Sequence, residues 1–253
     1  MRLLASILVI VFLSLVPRAS GQEQLTCLKD TKVSLKVDHQ PLATVLRKLM
    51  FEYDISVGFE ESILDRDHDD YSFETNGRFR PQSYTSSGLM FKTDIHPVVN
   101  VKNNFISIDV KDAKLDAVLD TIVSQMRNYA WRVDSGVVDI YPTASRDPNF
   151  ERLLNLKIEQ FRFANGMHVA VIRTKLFELP EVSSYLSENK IRYRDFTNGM
   201  TDYKSLQQVR MDFENLTLLE LLNNIARTNH GGWILKSNKF AEAQGTKYIE
   251  LQL

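Results

Sequence analysis

The sequence predicts an α+β fold made of two tandem βαβ-βαββ domains, each a small sheet with helices packed on one face. Three stretches, beginning at Val33, Ile106 and Val209, repeat one pattern at one spacing. Each opens with alternating apolar and polar residues, which is typical of a half-buried strand. After a four-residue polar connector, apolar residues recur at i, i+3, i+4 and i+7, which indicates a helix buried on one face. These helical faces are Leu42-Val45-Leu46-Leu49, Leu115-Val118-Leu119-Ile122 and Leu218-Leu221-Leu222-Ile225.

Further alternating segments extend each repeat into a small sheet. The hairpin after the second repeat turns at Asp134-Ser135-Gly136, residue types that suit a tight reversal. A weaker fourth copy precedes the third repeat, with a strand over 154–158 and helix-like spacing over 167–177 that Pro180 interrupts. The predicted strands that complete the repeats are 55–59, 129–133, 137–141, 191–193, 233–236 and 248–251.

The order of these elements divides the chain into two domains of about 100 residues each, a common domain size. We expect the first domain to cover residues 22–142 and the second, more divergent domain to cover residues 153–253. Residues 143–152 are the predicted linker between them.

A polar segment between residues 60 and 104 interrupts the first domain. Its Asp, Ser, Asn, Gly and Pro content with few apolar residues predicts a long loop or insertion, where a short turn would suffice. Aromatic side chains in such a segment either anchor a partner or pack back on their own domain, and the sequence leaves both open. The candidate binding residues are Tyr71, Phe73, Phe79, Tyr84 and Phe91.

The first 21 residues have the layout of a secretory signal peptide. Arg2 precedes an apolar run from Leu3 to Val16, and small residues end the segment before Gln22. The run is shorter than the roughly 18–20 residues that span a bilayer, so we expect export with cleavage and no transmembrane segment in the mature chain. Cys27 is the only cysteine, which excludes an internal disulfide.

Charge gives no sign of nucleic-acid binding. The whole chain carries a net charge of −1, and removal of the first 21 residues takes away two arginines and no acid. A mildly acidic exported protein lacks the basic footprint that phosphate backbones require.

Metal binding and catalysis both have weak candidates. The spacing of Asp65, Asp67 and Asp69 matches the start of a calcium loop, but Asp70 stands where the loop needs glycine and Asn76 where it needs glutamate. We therefore expect a solvated acidic loop, with no metal and no cofactor.

The histidines do not indicate a catalytic centre. No nucleophile elbow, zinc-protease motif, P-loop or Rossmann glycine pattern is present. His39 lies in a connector, His168 on a predicted helix, and His230 in a predicted helix end. We expect the protein not to be an enzyme. The polar residues Asp38, Asp112 and Asn215, between strand and helix, suit helix capping or an Asx turn, and Pro41 suits a first helical position.

The repeats resemble the secretin/TonB short N-terminal domain. The resemblance rests on the strand, the connector, the L-x-x-[VL]-L-x-x-[LI] helix and the closing hairpin from Tyr129 to Tyr141. It covers 33–59 and 105–141 well and 154–251 more loosely, and the long insertion departs from the family pattern. The resemblance implies a bacterial periplasmic or outer-membrane-associated docking module and carries over no catalytic residues.

We therefore expect an exported, non-catalytic adaptor for envelope transport, secretion or signalling. Its partners would be other envelope proteins, bound through strand addition at exposed sheet edges. Two alternatives stay open: a metal-dependent or enzymatic module whose site lies in the 60–104 insertion, and a purely structural subunit of an envelope assembly.

Overall fold

The α+β class is confirmed in the computed structural model, which describes residues 28, 30–62, 105–168, 170–193, 208–237 and 247–253. Six helices and ten strands lie within these ranges. In chain order the elements of the first half are β1 (Lys32–Pro41), α1 (Leu42–Tyr53), β2 (Val57–Glu60), β3 (Phe105–Lys114), α2 (Leu115–Gln125), β4 (Tyr129–Asp134) and β5 (Val137–Pro142). Those of the second half are α3 (Pro148–Leu154), β6 (Lys157–His168), α4 (Ala170–Glu178), α5 (Pro180–Glu188), β7 (Ile191–Tyr193), β8 (Gln208–Thr217), α6 (Leu218–Thr228), β9 (Gly232–Ser237) and β10 (Lys247–Gln252).

The three repeated helical faces are buried as the spacing predicts. All twelve of their side chains are at most 4% exposed. The helices thus form because one apolar stripe of each can leave water, the usual source of helix stability in a folded domain.

The predicted connectors are wrong, because the strands run directly into the helices. β1 ends at Pro41 and α1 begins at Leu42, and β3 and α2 abut in the same way. The strand register slips at one bulge in β1 and at one in β3. Within these bulges His39 and Asp112 take left-handed φ values of 46° and 51°.

The capping roles predicted for Asp38, Asp112 and Asn215 are also wrong. The N-cap residues of α1, α2 and α6 are Pro41, Lys114 and Thr217. Three residues before each helix stand His39, Asp112 and Asn215, and all three have positive φ. Asp and Asn tolerate this conformation better than most residues. His39 and Asp112 lie within strand bulges, whereas Asn215 lies where the register of β8 with β6 is regular.

The long strands form two separate antiparallel ribbons. β1 pairs with β3, and β6 pairs with β8. The two ribbons hold equivalent places in the two halves, since each joins the first strand of a half to the strand that follows its insertion. The weaker fourth copy therefore has the ribbon strand β6, although Met167, expected in a helix, lies in that strand.

One six-stranded sheet runs through both halves of the chain. Its order is β4-β5-β2-β9-β10-β7, so the first half supplies three adjacent strands and the second half supplies the other three. The two sets meet where β2 pairs in parallel with β9. The predicted linker 143–152 contains most of α3, which Asp147 caps by accepting a 2.8 Å hydrogen bond from the Asn149 N–H.

The two hydrophobic cores lie on opposite faces of this sheet. Val138 belongs to the core under α1 and α2, whereas its neighbour Val137 belongs to the core under the helices of the second half. Ile234 and Leu235 divide in the same way. Adjacent residues of a strand point to opposite faces. Helices therefore cover one face within each half, as expected, but the shared sheet carries helices on both faces.

Residues 63–104 of the predicted insertion lie outside the described residues, as does the polar segment 194–207 between β7 and β8. Among the described helices, none combines the length and apolar character needed to cross a bilayer.

Candidate functional site

The joint between the halves is centred on a row of four register partners. Arg132 pairs with Asp139, Asp139 with Gly58, and Gly58 with Trp233, across β4, β5, β2 and β9. A β-carbon built at Gly58 would lie 2.4 Å from Trp233 Cε2 and 2.6 Å from Asp139 Oδ1. The indole therefore lies directly over the glycine, and a bare backbone at position 58 is what lets the second half close over the first.

A buried hydrogen-bond chain links α6 to this row. The Trp233 indole N–H donates to Asn223 Oδ1 at 2.7 Å, and Asn223 Nδ2 donates to Asp139 Oδ2 at 3.1 Å. All three side chains are at most 2% exposed. The amide thus satisfies a donor from β9 and an acceptor on β5 at the same time, so it couples strands of both halves.

Asp139 is held in an environment that disfavours its charge. Burial raises the pKa of its carboxyl from 3.8 to about 7, while the Asn223 hydrogen bond and the Arg132 guanidinium oppose that rise. The Arg132 Nε lies 3.7 Å from Asp139 Oδ2, and Asp139 Oδ1 has no hydrogen-bond partner among the described residues. Asp139 therefore stays protonated up to about pH 7, because burial leaves one acceptor oxygen out of reach of water.

A second buried carboxylate lies at the end of β2. The Arg146 guanidinium donates to both oxygens of Glu60, with Nε–Oε1 at 2.8 Å and Nη2–Oε2 at 2.7 Å. Burial raises the pKa of Glu60, and the Arg146 hydrogen bonds act in the opposite direction. The Glu61 N–H donates to the Leu235 carbonyl, and the Ser62 N–H donates to the Tyr129 hydroxyl. The chain is thus fixed up to the start of the insertion.

β4 forms one outer side of the sheet in the described part of the chain. The Val138 N–H donates to the Ser56 carbonyl, so even-numbered residues of β5 face β2 and odd-numbered ones face β4. Asp139 is the register partner of Arg132, so these two exchange backbone bonds and the Val133 N–H points away from β5. β4 thus directs a row of backbone groups outward over six residues.

β7 forms the other outer side within the described ranges, and it is only three residues long. It pairs in parallel with β10. Ile191 is buried in the second core, whereas Arg192 is exposed on the opposite face. A short outer strand with a charged residue limits uncontrolled pairing.

The candidate binding aromatics of the insertion, Tyr71, Phe73, Phe79, Tyr84 and Phe91, lie outside the described residues. The acidic group around Asp65 lies outside them too, and in the part that is described no three His, Cys, Asp or Glu side chains are close enough to hold a metal ion.

Two of the described histidines, His39 and His230, make structural contacts, and His168 lies at the end of β6 rather than on the predicted helix. The His39 ring stacks on Phe105 with ring centroids 4.2 Å apart. His230 Nδ1 lies 2.8 Å from Asp54 Oδ1, which joins the end of α6 to the end of α1. Both members of this pair are about two-thirds exposed, so the contact is a surface link between the halves.

A small crevice under α3, α4 and α6 is lined by apolar side chains alone, including Leu153, Phe177 and Leu222. Ligand sites need a few convergent polar groups to orient their ligand. This crevice has none, so we interpret it as imperfect packing.

Sequence reasoning missed the row Arg132-Asp139-Gly58-Trp233. One indication was available: Trp233-Ile234-Leu235 is an unbroken apolar run, which is typical of a strand buried on both faces. Such a strand needs a packed layer on each face, which a separate domain with helices on one face does not supply.

Scans against protein-family models, curated proteins and solved structures each found no match to this chain. The resemblance to the secretin/TonB short N-terminal domain thus stays a prediction from the sequence.

Proposed function

We propose that this protein is an exported, non-catalytic adaptor that docks other proteins by strand addition at the outer strands of its sheet. The observation that carries the proposal is the parallel pairing of β2 with β9. A strand that belongs to one repeat is completed there by a strand of another repeat, so the fold already uses edge pairing to join two similar bodies. Backbone hydrogen bonds supply affinity in this mode, and neighbouring side chains supply specificity.

β4 is the better docking strand of the two outer strands. It runs for six residues against three in β7, and its outward backbone groups alternate with those that bind β5. Its side chains are held in place: the Trp131 indole N–H donates to Asp120 Oδ1 at 2.8 Å, and the Arg132 guanidinium lies 5.2 Å from the Tyr141 ring centre. A pre-ordered strand loses little conformational entropy when a partner adds to it.

Export and an envelope location follow from residues 1–21 and from the family resemblance, and both belong to this proposal. The absence of a motif for nucleophilic or metal-dependent chemistry in the sequence favours binding over catalysis. The insertion aromatics Tyr71, Phe73, Phe79, Tyr84 and Phe91 are the second candidate contact surface.

The test is capture of envelope proteins by two matched variants. Val133→Pro removes an outward N–H without removing a bond to β5, and Val133→Ala trims the same side chain but keeps the N–H. We expect Val133→Pro alone to lose the captured partner while both variants keep the circular dichroism spectrum of the parent. Equal capture by parent and Val133→Pro would contradict docking at β4.

A third variant separates the two candidate surfaces. Deletion of 63–104 removes none of the residues that form the described sheet. If this deletion abolishes capture and Val133→Pro does not, the insertion is the contact surface and the strand-addition mechanism is wrong.

A further inference from the structure

A rotation of half a turn, about an axis that lies in the sheet and crosses its strands, relates the two halves of the sheet. The rotation is combined with a shift along that axis. Equivalent strands occur in the same left-to-right order, β4-β5-β2 and then β9-β10-β7. β5 is parallel to β2, β2 to β9 and β10 to β7, whereas β4 and β5, and β9 and β10, are antiparallel. These pairings give each strand of the second half a direction opposite to that of its equivalent in the first half: β9 opposes β4, β10 opposes β5, and β7 opposes β2.

The burial of side chains gives the same operation independently. A half-turn about an axis across the sheet exchanges its faces as well as the strand directions. The first-half core lies on the Val138 face and the second-half core on the Val137 face. Strand direction and helix placement therefore agree on one operation.

A second application of this operation restores the original direction and the original face. The next unit would start with a β4 strand that runs parallel to β7, just as β9 runs parallel to β2 within the chain. The contact inside the molecule joins two different edges, so it is head-to-tail and does not close on itself. The outer strands of the molecule are equivalent to the two strands of this contact: β4 is equivalent to β9, and β7 is equivalent to β2.

We propose that the occupant of the β7 edge is the β4 edge of a second copy of this chain, paired in parallel, so that the protein assembles head to tail. The inference deepens the proposed function, because it rests on β4 as a docking strand and names a second copy as its partner. The sheet of one molecule then continues into the next, with first-half helices always on one face and second-half helices on the other.

Side-chain placement is consistent with this joint. Arg192 is the register partner of Tyr248, and Ile249 is that of Tyr193, so Arg192 lies on the face opposite the second-half core. Val133 is the register partner of Val138 and lies on the Val138 face of the sheet, the same face as Arg192. In a head-to-tail pair Arg192 of one copy and Val133 of the next therefore lie on one side of the continuous sheet.

Cross-linking of two single-cysteine variants tests the proposal. Arg192→Cys marks the β7 edge and Val133→Cys marks the β4 edge, each with Cys27→Ser to remove the only natural cysteine. The purified variants are treated with a short bis-maleimide alone and as an equimolar mixture. We expect a covalent dimer in the mixture at a yield several-fold above either variant alone, since only β7 and β4 meet.

A peptide with the sequence of residues 128–135 is the competitor. It should lower the yield of the mixed dimer by occupying β7, whereas a scrambled peptide should not. Equal dimer yields in the mixture and in the single variants, or no dimer at all, would overturn self-assembly. Loss of envelope-protein capture in Val133→Pro would still support the adaptor role in that case, so the two proposals fail separately.

Discussion

The indole ring of Trp233 occupies the place where a side chain at position 58 would begin, with Trp233 Cε2 only 2.4 Å from the β-carbon that any residue other than glycine would add. This contact joins a residue of β2 to a residue of β9 across the only parallel pairing between the two halves in the described sheet. Neither residue has room to move, since both lie in the interior of the sheet.

Gly58→Ala is therefore expected to destabilise the fold by about 1–3 kcal/mol or more, the usual range for an overpacked core. Gly231→Ala is the matched control, because the nearest atom to its added β-carbon is 3.8 Å away. Urea unfolding of both variants measures the difference. A change at Gly58 no larger than that at Gly231 would contradict the packing described for the joint.

Asp139→Asn is expected to flatten the dependence of stability on pH. Because the pKa of Asp139 is raised to about 7 in the folded chain, the folded state holds a proton between about pH 4 and pH 7 that the unfolded state has released. The free energy of unfolding therefore falls as pH rises through that window, by roughly 4 kcal/mol at most for a pKa rise of about three. Above pH 7 this contribution is constant.

The measurement is the melting temperature of parent and variant from pH 4 to pH 8. The asparagine keeps an acceptor for Asn223 and stays neutral. The melting temperature of the variant should therefore rise relative to that of the parent as pH increases. A smaller slope should remain in the variant, since the pKa of Glu60 is raised as well. Parallel curves for the two proteins would refute the buried, neutral carboxyl.

Arg146→Ala should cost on the order of 3–5 kcal/mol, because it leaves the buried carboxylate of Glu60 without its counter-charge. Glu60 is 1% exposed and receives three hydrogen bonds from Arg146. Lys36→Ala is the control: its 2.6 Å pair with Asp109 is largely exposed on both sides, and solvent-screened surface pairs contribute little to stability. Unfolding in guanidinium measures the loss of stability in both variants. A larger loss for Lys36→Ala than for Arg146→Ala would contradict a buried ion pair between Glu60 and Arg146.

Leu119→Ala and Leu222→Ala should each cost about 2–5 kcal/mol, since both side chains are at most 1% exposed. The two leucines belong to different cores, but the cores share a sheet. We therefore expect each variant to unfold in a single transition, monitored by tryptophan fluorescence and by circular dichroism together. Phe51→Ala, at a site that is 76% exposed, should change stability little. Separate transitions would show that the halves unfold independently.

The sequence predicts the three repeated helices well because their periodicity is local, whereas α3 and α5, which lie outside the repeats, are missed. The faces of α1, α2 and α6 follow from apolar spacing within one turn of a helix. The pairing of β2 with β9 joins residues 175 positions apart in the chain, such as Val57 and Gly232, and no local pattern encodes such a partner.

The burial of polar residues such as Asp139 also cannot be predicted from local sequence, because it depends on the distant half of the chain. Asp139 alternates with Val138 and Ile140, so a one-sided sheet would leave its side chain in water. It is buried because α6 of the second half covers that face. Within a single half Gly58 likewise has no evident role, and its need for a bare backbone follows only from Trp233 in the other half.

The half-turn between the halves also gives the molecule two poles. β2 and β7 run in opposite directions, so Ser62, where the longer non-repeated segment begins, and Tyr193, where the shorter one begins, emerge at opposite ends of the sheet. The two segments therefore depart from points separated by the length of the sheet strands. The two poles are free to acquire different binding specificities while one shared framework stays constant.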